Sequence, residues 1–268
     1  MTEFIRGVAT GSGLGNFPGV VVLTRDLFNA IEFDAACSGD HQAAARQMSE
    51  LANTGTQTDE FPRSEAFVRA GEQWLLADDP VAAANGFRRA LADGGPAFTD
   101  PRVPLARALF LMDRPDEADT LIRQLEAELP GDPRICDLVA ELLVECSDLP
   151  GALRWATAGV ELCLGRAARA GSDRADSDRA DSDRADSDRA DSDRADSDHA
   201  DSSAAESAAK QVLALPDAVR TELQLLLRLR YRVRNDLGLQ EDGYDLLLDG
   251  LGGLAGLSPE PTGAADTG

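Results

Sequence analysis

Several residue types that chemistry needs are scarce in this chain. Aromatic residues make up 5%, Lys210 is the single lysine, and His41 and His199 are the two histidines. Neither histidine has an HExxH, Ser-His or Cys-His companion at a spacing that builds a catalytic site. Cys37, Cys136, Cys146 and Cys163 form no CxxC or CxC pair and are dispersed among apolar stretches, where free cysteine acts as a small core hydrophobe. No catalytic residue, metal site or cofactor is therefore expected. Near the start, only Gly19 to Leu23 is an apolar run, too short for a signal-peptide core or a membrane span. A cytoplasmic address without membrane attachment is the expectation. The nearby GSGLGNFPG has alternating glycines, Pro18 where a helix should begin, and no following GK[ST], so it does not make a phosphate loop.

What the chain does have is acidity and two kinds of repeat. The net charge of −22, with a pI near 4.3, opposes nucleic acid and anionic membranes unless a local basic island exists. From residue 172 to 201 runs SDRADSDRADSDRADSDRADSDRADSDHAD, six pentapeptides with His199 in place of the last Arg. Five residues advance about 140° around a helix, so the alanines never line up into a packing stripe. Asp and Ser favour turns, and no large apolar side chain offsets the entropy of ordering. The run reads as a disordered acidic spacer within residues 166–215. A calcium loop would need a Gly-assisted turn and a bidentate Glu, and neither is present.

The second repeat has a core. In AFVRAGEQWLLADDPVAAANGFRRALADGG, residues Phe67, Gly71, Trp74, Ala83, Phe87 and Ala90 fall at helical spacing on either side of a turn, with the small residues Gly71 and Ala83 among them. The next stretch repeats the pattern with Leu105, Ala106, Leu109, Ala118, Ile122 and Leu125. A third offers Val139, Ala140, Leu143, Ala152, Ala156 and Gly159. Ala83, Ala118 and Ala152 lie 35 and 34 residues apart, and each unit has its turn: Asp78-Asp79-Pro80, Asp113-Arg114-Pro115 and Ser147-Asp148-Leu149-Pro150.

On these residues the chain resembles tetratricopeptide (TPR) proteins, whose period is about 34 residues. DLPGALRWATAGVEL (148–162) and RLRYRVRNDLGLQEDGYDLLL (228–248) narrow the likeness to poorly characterised actinobacterial members. The zinc-binding Cys-rich segment of some relatives is not present. The resemblance implies an all-α, right-handed α-solenoid of three helix-turn-helix units over 62–165. A closing helix pair over 216–255 follows, entered at Pro216 and turned at Gly238. Residues 24–61 read as a further hairpin and linker with caps at Thr24 and Asp40, or as an over-extended start before Met48. Residues 1–23 and 256–268 read as disordered ends.

The family's concave groove is lined by the first helix of each unit. Here that implies Glu65, Val68, Glu72 and Leu75; Asp100, Val103, Arg107 and Phe110; and Arg134, Asp137, Glu141 and Val144. Chaperone-binding members use Lys and Asn to hold a carboxylate, whereas this chain has Val68, Glu72 and Glu141. The expected function is a non-enzymatic scaffold whose mostly acidic groove takes a basic, partly apolar segment of another protein. Two alternatives stay open: a nucleic-acid regulator acting through Arg228, Arg230, Arg232 and Arg234 on the Arg-rich helix 217–237, and an undetected enzyme.

Overall fold

The computed structural model describes residues 21–128, 131–182, 212 and 216–251. Among them, extended pairing is limited to an isolated bridge between Val22 and Thr56, and everything else regular is helix. The chain divides into two compact units, one to Pro115 and one from Asp116. The first holds α1 (Arg25–Ser38), α2 (His41–Thr54), α3 (Arg63–Leu76), α4 (Pro80–Asp93) and α5 (Arg102–Leu111). The second holds α6 (Pro115–Glu128), α7 (Pro133–Glu145), α8 (Leu149–Ser182), α9 (Asp217–Asp236) and α10 (Gly243–Gly250). The fold class is all-α and TPR-like.

In the first unit, Thr24 Oγ1 accepts the Leu27 N–H at 3.3 Å and Asp40 Oδ1 accepts the Ala43 N–H at 3.0 Å, so both helices of the α1–α2 hairpin are capped. Phe28, Ile31 and Ala35 bury one face of α1. Phe28 packs on Phe61 with ring centroids 4.7 Å apart, and each buried ring of this kind stabilises by roughly 1.5–3 kcal/mol. Met48 is fully buried inside α2. The N-terminal tail expected over 1–23 ends sooner. Leu23 is fully buried, its N–H bonds the Thr56 carbonyl at 2.8 Å, and the Thr56 N–H bonds Val21 at 2.9 Å. An apolar side chain seated between paired backbone groups holds the chain from Val21 onward, while residues 1–20 lie outside the described part.

The α3–α4 hairpin closes on Gly71. A Cβ there would lie 2.5 Å from Cε1 of the buried Phe87, so only glycine admits the ring. Ala83, Ala118 and Ala152, the sequence markers, are all fully buried. The turns after α3, α5 and α7 share one geometry: Asp78, Asp113 and Ser147 have φ of 59°, 58° and 62°. In each, the left-handed residue bonds the carbonyl three residues back (Leu75, Phe110, Val144) and its successor bonds the one before that (Trp74, Leu109, Leu143). This double bond satisfies the last helical carbonyls. Asp79 and Asp148 then accept the Ala82 and Gly151 N–H groups at 2.9 and 3.0 Å, starting the second helix of the pair.

The second unit departs from expectation at one boundary. α8 does not stop near residue 165 but runs to Ser182, with Cys163 and Ala167 still buried along it. Helix propagation adds a hydrogen bond for each residue fixed once a nucleus exists, so a well-packed first half carries backbone into the first pentapeptides. From residue 183 the repeats lie outside the described residues. α9 begins after Pro216 and is turned two residues past its end at Gly238, whose φ of 67° repeats the turn geometry above with glycine in the left-handed place.

Candidate functional site

α1 and α3 of the first unit, with the loop before α5, enclose a cavity of about 270 Å³. α1 contributes Arg25, Asn29 and Glu32, a polar stripe flanking its buried Phe28 face, and α3 contributes Glu65, Val68, Arg69 and Glu72. Arg69 is committed: its Nε bonds Glu32 Oε1 at 2.7 Å, its Nη2 pairs with Glu32 Oε2, and that same Nη2 bonds Asn29 at 2.8 Å. Glu65 accepts the Phe98 N–H at 2.8 Å. Glu72 has no such partner among the described residues. Burial, with Glu65 and Glu32 adding repulsion and Arg69 opposing, pushes its carboxyl up to about 7. At the mouth stands Phe98, 68% exposed.

The twelve sequence-derived groove residues do not form one class. Glu65, Val68 and Glu72 line the cavity, with Leu75 half-buried on the same helix. Asp100 lies before α5 rather than on it, where Arg102 chelates both its oxygens and its Oδ1 accepts the Arg102 N–H at 3.0 Å. Its helical assignment fails because Asp-Pro-Arg is a capping arrangement, and the same tripeptide opens α7, where Asp132 clamps Arg134. Val103 is core, while Arg107 and Phe110 are half-buried. Arg134 also reaches Glu222 of α9 at 3.8 Å. On α7, Asp137 is pushed up to about 6 by burial, then by Glu141 and Glu222, while Glu141 is exposed and Val144 half-buried. Sequence spacing missed Arg25, Asn29, Glu32 and Phe98. The first three form an i, i+4, i+7 stripe that the α1 core pattern leaves over.

The basic island is divided. Arg228 and Arg232 are exposed, but Arg230 is 4% exposed and held by Asp242 and Asp245 of the α10 capping box and by Thr157. Its guanidinium also lies over the Tyr244 ring, 4.6 Å from the centroid. Arg234 bonds Asp245 at 3.1 Å and Asp242 at 3.0 Å. Burial alone would push Asp242 up, yet the two arginines hold it below the usual carboxylate range. A four-arginine phosphate contact is thus not available on this helix, since two of the four neutralise Asp242 and the buried Asp245.

A larger cavity, about 370 Å³ and mainly apolar, lies along α8 beside Trp155, Ala158 and Leu162, over Cys136. Cys136 and Cys163 are buried core residues, as expected, and burial raises their thiols to about 11 and 12, which keeps them unreactive. Cys37 and Cys146 are exposed instead. Among the described residues no group of His, Cys, Asp and Glu is placed to hold a metal ion, and no helix is long and apolar enough to cross a membrane.

Residues 75–142 match the family model described as tetratricopeptide repeat. Residues 75–142 are a tetratricopeptide-repeat segment. The matched segment runs from the end of α3 to α7 and contains the left-handed turns at Asp78 and Asp113. No curated protein matches the sequence. Tetratricopeptide repeats generally mediate protein–protein contacts through surfaces that stacked helix pairs present.

Proposed function

We propose that this TPR protein is a non-enzymatic scaffold whose inner-helix faces capture a basic, partly apolar segment of another protein. The observation that carries the reading is the α1–α3 cavity, where Glu72 faces Glu65 and Glu32 without a hydrogen-bond donor of its own. A carboxylate held in this way gains from an incoming guanidinium or ammonium, which relieves both the burial and the repulsion. The exposed Phe98 ring at the rim suits an apolar residue beside that cation. On α7, Asp137 and Glu141 repeat the acidic character.

The test is charge reversal in the full chain, Glu72→Lys with Glu141→Lys. The doubly substituted protein keeps its helical circular dichroism and loses capture of a basic segment. A folded double variant that captures the segment as well as the original would remove the inner-face assignment.

A further inference from the structure

The turn geometry extends the inner-helix register to a helix that sequence spacing alone does not align. At Gly238 the N–H bonds the Asn235 carbonyl at 2.9 Å and the Leu239 N–H bonds Arg234 at 3.0 Å. These are the bonds made at Ser147, where the Ser147 N–H takes Val144 at 2.9 Å and the Asp148 N–H takes Leu143 at 2.8 Å. With Gly238 set equivalent to Ser147, the α7 positions Arg134, Asp137, Glu141 and Val144 correspond on α9 to Leu225, Arg228, Arg232 and Asn235.

Burial agrees with that alignment at three core positions and differs at Ala140 and Leu143, whose counterparts Tyr231 and Arg234 are half-buried. Cys136, Val139 and Leu142 of α7 are core, and their counterparts Leu227, Arg230 and Val233 are buried. Leu225, Arg228, Arg232 and Asn235 are all exposed, Leu225 at 49%. The Arg134–Glu222 pair, at 3.8 Å, joins the N-terminal parts of the two helices, so the rows lie on neighbouring elements of one unit. α9 is thus an inner helix in register, with an exposed basic row where α7 carries Asp137 and Glu141.

We infer that Arg228 and Arg232 hold an acidic side chain of the protein partner, so that the bound segment is bipolar: basic against Asp137 and Glu141, acidic against α9. This rests on the inner-face reading above and adds a charge order to it. Two arginines in helical succession suit one carboxylate by paired N–H donation. With the carboxylates Asp137, Glu141 and Glu222 carried by the same unit, they make a poor track for the continuous charge of a nucleic acid backbone.

The experiment is fluorescence anisotropy on the full chain with three labelled peptides of equal length: all-basic, basic-then-acidic, and all-acidic, each with interspersed leucines. The bipolar peptide is expected to bind about tenfold more tightly than the all-basic one, and Arg228→Glu with Arg232→Glu to reverse that order. Both substitutions are at exposed positions, so the circular dichroism spectrum stays unchanged. An unchanged preference in the double variant overturns the inference while leaving the acidic inner faces intact. Failure of all three peptides to bind overturns the inner-face reading and this inference with it. A labelled single-stranded oligonucleotide run in parallel that binds the original and not the variant would assign the arginines to nucleic acid and also overturn it.

Discussion

Arg230, almost wholly buried, donates from Nη1 to Asp242 Oδ1 at 2.9 Å and to Asp245 Oδ1 at 3.3 Å, so the basic helix is stitched to the helix that follows it. Removing Arg230 leaves Asp242 and the 4%-exposed Asp245 to share the one guanidinium of Arg234, so the cluster keeps two carboxylates with one cation. Arg230→Met should therefore cost on the order of 3 kcal/mol in urea unfolding. Arg228→Met, two residues away on the exposed row, should leave the midpoint where it is. Equal and small effects of the two would mean that the Arg230 network does not hold α10 in place.

The left-handed residues Asp78, Asp113 and Ser147 carry a Cβ where glycine has no steric cost, and Gly238 stands in the equivalent place. A left-handed conformation costs a non-glycine residue about 1 kcal/mol. Ser147→Gly is accordingly expected to raise stability by roughly 0.5–1 kcal/mol, with an upward shift in Tm as the readout. A drop in Tm would show that the Ser147 side chain contributes more than the turn conformation costs.

Glu72 gives the protein a pH dependence of known sign. Its carboxyl is raised from 4.5 to about 7, so the native state binds its proton more tightly than the unfolded chain does. The associated stability is fully present below about pH 4.5 and is lost as the pH rises through about 7. Glu72→Gln removes the titration. The variant should match the original near pH 4.5 and exceed it by roughly 1–3 kcal/mol at pH 8. Parallel stability curves for the two proteins across that range would contradict the burial of this carboxylate.

The fold was legible because its signals are local and repeated. The alanine markers, the Asp-Pro turns and the caps at Thr24 and Asp40 each act within a few residues, and each appears in the structure where the pattern put it. The site was legible only in part. Glu65, Val68 and Glu72 follow from helical spacing, but the cavity around them also needs Glu32 and Asn29 from α1 and Phe98 from a loop. Contacts over that separation leave no periodic trace. Asp100 shows the opposite failure: spacing placed it on an inner helix, whereas the Asp-Pro-Arg cap takes it out of the helix altogether. The four arginines of 228–234 looked alike in sequence, and only the packing of α9 separates the ion-paired Arg230 and Arg234 from the exposed Arg228 and Arg232.

The most direct measurement is the titration of the Glu72 carboxyl by carbon-detected NMR on the full chain, alone and with a saturating arginine-leucine peptide. Alone, Glu72 should titrate near 7, and with the peptide bound its midpoint should fall by at least one unit, because a bound cation favours the ionised form. A midpoint close to 4.5 that the peptide leaves unmoved would contradict the account of this cavity as a receptor for a basic segment.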